Sequence, residues 1–133
     1  MRFVIGGDRF WPCHKLAAGV LRRMATRYGP DIVIVHGDDT AVAESFATAA
    51  KGQRLKAEQH AADFGHLGDG AFRFRNRAML RGAELCVIVH RSLLDAGTKD
   101  LARQALAAGV PTFLIANEQA VPRRLGEGDS GLI

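Results

Sequence analysis

The stretch Leu85-Cys86-Val87-Ile88-Val89-His90-Arg91-Ser92-Leu93-Leu94-Asp95-Ala96-Gly97-Thr98-Lys99-Asp100 decides the fold. Its first five residues are apolar without alternation, the pattern of a short strand buried on both faces. Its far end opens a helix at Gly97-Thr98, which continues through Leu101, Ala105 and Ala108. A strand that feeds a helix through a glycine-bearing loop is suited to hold an anion. Free backbone N–H groups and the positive end of the helix dipole converge there.

The same unit recurs on either side. Arg2 to Ile5 is an apolar run that ends at Gly6-Gly7 and turns into Asp8-Arg9. From Pro12 to Tyr28 the apolar residues Leu16, Val20, Leu21 and Met24 have helical spacing, and Gly29-Pro30 stops the helix. The β-branched run before His36 predicts a second buried strand over Asp31 to Val35. The turn His36-Gly37-Asp38-Asp39-Thr40 follows, then a helix from Ala41 to about Ala50. Leu55 to His60 alternates and reads as an edge strand. Ala61 to Gly70 reads as loop, Phe72 to Arg77 leads into a helix reaching about Gly82, and Thr112 to Ala116 is the last clear strand.

Alternating strands and helices predict an α/β fold. The expectation is a Rossmann-like three-layer sandwich, a mostly parallel five-stranded sheet with helices on both faces. Residues 1–117 form the domain, and residues 118–133 are expected as a loosely ordered tail. Right-handed crossovers put every strand's C-terminal end on one edge. The turns at Gly6-Gly7, His36-Gly37 and Gly97-Thr98 should therefore gather on one rim, where open α/β sheets bind ligands.

The chain has 133 residues, enough for one self-sufficient core. Eighteen Lys+Arg against 14 Asp+Glu leave a charge of +4, which suits phosphate-bearing ligands without demanding nucleic acid. Cys13 and Cys86 are too far apart in sequence to imply a disulfide framework. No stretch approaches the roughly 20 apolar residues of a membrane span. The expectation is a soluble, cytoplasmic protein with no membrane partner.

Each motif also has a bland reading. Gly6-Gly7 lacks the further glycines of a dinucleotide fingerprint, and a tight turn alone would explain it. Arg9 beyond it can reach a phosphate or be surface charge. Asp39 or Thr40 can cap the helix that follows, while His36 and Asp38 could face a ribose or base. Arg73, Arg75, Arg77 and Arg81 are the strongest local charge feature. Phe72 and Phe74, interleaved with them, could stack a base but are expected in the core. No P-loop and no serine nucleophile elbow occurs. The five histidines show no metal-ligand spacing, so no metal and no cofactor is implied.

The order Gly6-Gly7-Asp8-Arg9, His36-Gly37-Asp38-Asp39, Ala62-Asp63-Phe64, Arg75-Asn76-Arg77-Ala78-Met79 and Gly97-Thr98 resembles the YspA-like (DUF2493) family of the SLOG superfamily. That superfamily also holds the LOG phosphoribohydrolases and DprA. The resemblance covers about residues 1 to 116. It implies a pocket for nucleotides or nucleotide-derived ligands, lined by Gly6, Gly7, Arg9, His36, Gly37, Asp38, Arg75, Asn76, Gly97 and Thr98. The family's usual turn continues with further glycines, where this chain has Asp38-Asp39-Thr40. The related LOG enzymes pair an arginine, matched by Arg75, with a glutamate three positions after the threonine. Leu101 stands at that position.

The resulting expectation is binding or sensing of a nucleoside phosphate or an ADP-ribose-like ligand, with Arg75 and the Gly97-Thr98 turn on the phosphate. One alternative is a nucleotide N-glycosidase-type hydrolase using Asp38, Asp39 or Asp100. Another is single-stranded DNA binding by analogy with DprA, against which one Trp, one Tyr and +4 of charge argue. Related LOG proteins are dimers, and the alanine-rich helices suit packing across a two-fold, so a homodimer is a further expectation.

Overall fold

The computed structural model describes residues 1–92, 94–119 and 121–129. Six strands form one sheet: β1 (Arg2–Gly7), β2 (Val33–Gly37), β3 (Lys56–His60), β4 (Leu85–Val89), β5 (Thr112–Ile115) and β6 (Arg123–Arg124). The helices are α1 (His14–Tyr28), α2 (Ala41–Gly52), α3 (Phe64–Leu67), α4 (Ala71–Met79) and α5 (Ala96–Ala107). The strand order is β3-β2-β1-β4-β5-β6, parallel throughout except for the antiparallel β5–β6 pair. The chain runs outward from β1 to β3, then returns to place β4 on the other side of β1. The reversal of direction falls between β1 and β4, the position at which such sheets open a ligand crevice.

The unbroken apolar runs sort themselves by the two-residue period of a strand. Phe3 and Ile5 of β1, Ile34 of β2, and Val87 and Val89 of β4 face one core, which they share with Val20, Leu21 and Met24 of α1 and Val42 and Phe46 of α2. Val4, Val35, Cys86 and Ile88 face a second core, closed by Met79 of α4 and Leu101, Ala102 and Ala105 of α5. The central strands thus read as continuous hydrophobic stretches because both of their faces are covered. β3 keeps the alternating pattern because it is an edge.

Five strands were expected and six are present among the described residues. Arg123–Arg124 of the tail pairs with Phe113 and Leu114. Leu125 is buried behind that strand, and Asp129 accepts from Arg123 at 2.7 Å and from the Gly126 N–H at 2.9 Å. Residues 120 and 130–133 of the expected loose tail lie outside the described residues, as does Leu93. The segment expected as loop over residues 61–70 contains α3 and a 3-10 turn, Gly68–Gly70. Asp63 caps α3 through the His66 N–H at 3.1 Å. α1 begins at His14, two residues later than expected, with Cys13 at its cap. Phe72 is partly buried and Phe74 is exposed, so Phe74 is not a core residue.

Gly7 holds β1 against β4. Its φ is +154°, and a Cβ there would be driven into the Val89 carbonyl oxygen. That carbonyl also accepts from the Asp8 N–H at 2.9 Å. Backbone cannot swing aside as a side chain would. Gly7→Ala is therefore expected to destabilise the fold by at least about 2 kcal/mol. Urea denaturation monitored by circular dichroism checks this. An unchanged midpoint would show that β1 and β4 can separate there at no cost.

Candidate functional site

The C-terminal ends of β1, β2 and β4 deliver their turns to one rim. A small cavity there, about 30 Å³ and roughly the size of one water, is lined by Gly6, Gly7, Arg9, Gly37, Asp39, Thr40, Phe72, Arg75, Asn76, Asp95, Gly97, Thr98 and Leu101 among others. It adjoins a wider cleft of about 490 Å³ that shares Arg9, Gly37, Asp39 and Thr40 and adds His36, Asp38, Glu44 and Gln59. Every residue expected at the site borders one of these two spaces. Volumes of a few hundred Å³ are typical of small-molecule clefts. The inner cavity is too small for a nucleotide as it stands.

Arg75 is the centre of the arrangement and is 8% exposed. A buried guanidinium must be paired. Its Nε donates to Asn76 Oδ1 at 3.1 Å, and one terminal nitrogen donates to Asp39 Oδ1 at 2.8 Å. Asp38 stands farther off, at 3.9 Å. Arg75 also lies over the Phe72 ring, 5.8 Å from its centroid, and Phe64 meets that ring edge-on. Asn76 is oriented in turn: its amide nitrogen donates to the Gly97 carbonyl at 2.9 Å and to Asp100 at 3.0 Å. Gln104 donates to the same Asp100 oxygen at 2.8 Å. Asp100 therefore positions Asn76 from behind and borders neither space.

Asp39 is free to face Arg75 because Thr40 takes the capping role on α2, accepting from the Ala43 N–H at 3.0 Å. The second Asp39 oxygen is 3.5 Å from Arg9. One carboxylate thus bridges two guanidiniums, one buried and one half-exposed. Gly37 permits this closeness, since a Cβ there would lie 2.5 Å from Arg75. Gly97 packs its backbone on the Phe72 ring, and Gly6 leaves space for Leu101. His36 is buried, with Nδ1 2.7 Å from the Gly37 carbonyl. A carbonyl only accepts, so Nδ1 carries the proton.

The helix start differs from the sequence expectation. α5 begins at Ala96, and its first turn is capped rather than open. Asp95 accepts from the Thr98 N–H at 2.9 Å and from the Thr98 hydroxyl at 3.1 Å. His90 Nε2 is 3.3 Å from the same carboxylate. The Ser92 N–H donates to His90 Nδ1 at 3.3 Å, which leaves the ring proton on Nε2 for Asp95. Asp8 lies on the other flank of His90, 3.8 Å away. The anion at this helix terminus is the protein's own.

Asp95, His90 and Asp8 were not anticipated as site residues. Asp95 carried a readable signal, an acidic residue three positions before Thr98 at the start of a helical run. His90 and Asp8 carried none, because their proximity arises only from the β1–β4 pairing. Both thiols are buried. Burial raises the Cys13 pKa and pushes the Cys86 pKa to about 12, so neither supplies a thiolate near neutrality. Among the described residues no three His, Cys, Asp or Glu side chains are grouped as metal ligands, and no helix is long and apolar enough to cross a membrane.

No protein-family model matches the chain, and no curated protein matches it.

Asp95 carries a pH dependence. Burial alone would raise its pKa, but the Thr98 N–H, the Thr98 hydroxyl and His90 outweigh burial and hold it below the ordinary value of 3.8. A depressed folded-state pKa adds stability above the unfolded value, and that stability is lost as pH falls through the folded value. Asp95→Ala is expected to cost about 1 kcal/mol at pH 7, the usual loss of a cap. The difference from wild type should shrink as pH falls below 3.8. Denaturation midpoints across pH 2.5 to 7 check this (about five points suffice). A constant difference would remove the carboxylate from the capping role.

Proposed function

We propose that the rim binds a nucleotide-derived small ligand, a nucleoside phosphate or an ADP-ribose-like molecule. The observation that carries this reading is the Asp39 carboxylate bridging Arg75 and Arg9 at 2.8 and 3.5 Å. It marks an anion position between two guanidiniums, at the strand ends next to the sheet's reversal point. A phosphate offers the same oxygens with more charge and accepts in the same forked geometry. Phosphate takes that position by displacing Asp39 toward the wider cleft. The remainder of the ligand lies in the cleft against His36, Gly37 and Asp38. The closeness of Gly37 to Arg75 keeps the phosphate end narrow.

Leu101 favours a binder over a hydrolase. It is buried against Gly6, where it can neither accept a proton nor hold a ribose hydroxyl. Asp100 is committed to Asn76 and Gln104. The hydrolase reading keeps one supporting feature, the Asp38 carboxylate on the open cleft. A nucleoside monophosphate panel analysed by chromatography for released base separates the two readings. The expected result is no turnover.

Two substitutions test the binding reading by calorimetry with AMP and ADP-ribose. Arg75→Ala removes the buried charge and should weaken binding by roughly 1.5–3 kcal/mol. Asp39→Asn removes the internal competitor while keeping its shape, and should tighten binding by about 1 kcal/mol or more. Circular dichroism confirms that each variant is folded. Weaker binding in Asp39→Asn would mean that Asp39 contacts the ligand instead of yielding to it. Equal affinity in wild type and Arg75→Ala would take the phosphate away from Arg75.

A further inference from the structure

A second cleft, about 600 Å³, runs beside α1 and shares no lining residue with the rim cavity or the cleft above it. Lys15, Gly19, Arg22 and Arg23 line it. At 100° per residue these four fall within an arc of about 100° on one face of the helix, and Lys15 and Arg22 are about 10 Å apart along the axis. Gly19 leaves the floor open between them, since a Cβ there would meet nothing within 4 Å. The side chains of Lys15 and Arg22 have no hydrogen-bond or ion-pair partner among the described residues. Glu118 is the single carboxylate on the wall.

Trp11 also lines the cleft, and it bears on the class of ligand. Trp11 is 3% exposed, and Arg91 lies over its ring at 4.8 Å. The indole therefore offers no open face on which a base could stack, the contact that single-stranded nucleic acid needs. The cleft offers spaced cations, and the exposed ring on its wall is the small imidazole of His14 rather than an indole or phenyl face. We propose that it is a separate binding site for a short linear oligophosphate, an anion whose charges are spread along a chain of matching length. This site stands independently of the rim and of its ligand.

Calorimetry with inorganic tripolyphosphate tests the proposal. Wild-type protein should bind it at low salt, with affinity falling steeply as salt rises from about 50 to 200 mM. The double substitution Lys15→Glu with Arg22→Glu should weaken binding by at least about tenfold. Both side chains are exposed, so the fold is retained and circular dichroism verifies it. The same double substitution made together with Arg75→Ala, which takes the rim guanidinium out of the readout, should weaken the binding of tripolyphosphate by the same factor. Sulfate at equal ionic strength should not displace it. The proposal is overturned by no binding at low salt, or by unchanged affinity when the double substitution is made with or without Arg75→Ala. Displacement by sulfate would reveal generic charge screening, and tighter binding of a single-stranded oligonucleotide would assign the face to nucleic acid.

Discussion

A guanidinium buried to 8% exposure cannot stand alone, and much of the rim follows from pairing it. Arg75 needs an acceptor on each side. Asn76 and Asp39 supply them, and each of those is held in turn. Asn76 is fixed by the Gly97 carbonyl and by Asp100, which Gln104 steadies. The chain of contacts therefore ties α4 to the first two turns of α5 and to the turn after β2. Gly37 and Gly97 belong to the same requirement. One clears space for the guanidinium and the other for the Phe72 ring beneath it. These glycines have a packing reason before any ligand is considered.

Charge balance at the rim has the same origin. Arg9 and Arg75 face Asp39, while the α5 terminus faces Asp95. Each anion-attracting feature is already answered by a carboxylate of the chain. A preorganised site that is internally neutral binds an anion by exchange, so its affinity is a difference between two anions. A phosphate competes well against a carboxylate because it carries more charge and more acceptor oxygens.

The sheet was legible in the sequence because its evidence is local. Leu85–Val89 is seen as the apolar run that predicts it, and β3 as the alternating run of an edge. The gathering of Gly6, Gly37 and Gly97 on one rim followed from the handedness of the crossovers rather than from any single motif, whereas Arg75 was expected there only from the family resemblance. What escaped was non-local or relational. β6 is two arginines, a pattern with no strand signal, and it exists because β5 presents an open edge. Phe74 alternates with core residues in a segment that is helical, so its face was misassigned. The role of Asp39 depended on Thr40 taking the cap, a choice between neighbours that composition does not make. The Asp8–His90–Asp95 cluster required the β1–β4 register before it could be seen at all.

Leu101 joins the fold to the chemistry. It occupies the place from which a carboxylate would reach the cavity, and it packs on Gly6 as part of the second core. An acid at that position would be desolvated against Val4, Ile88 and Met79, and its charge would have to be answered by Arg75. Arg75 instead answers Asp39, which comes from the turn after β2 and also borders the open cleft. The chain has thus placed an acid beside the wider cleft and an apolar side chain against the inner cavity. On the binding reading proposed above, such an arrangement would exchange one anion for another without presenting a base to an anomeric carbon. The geometry of the floor, more than any absent motif, is what favours a binding site over a hydrolytic one.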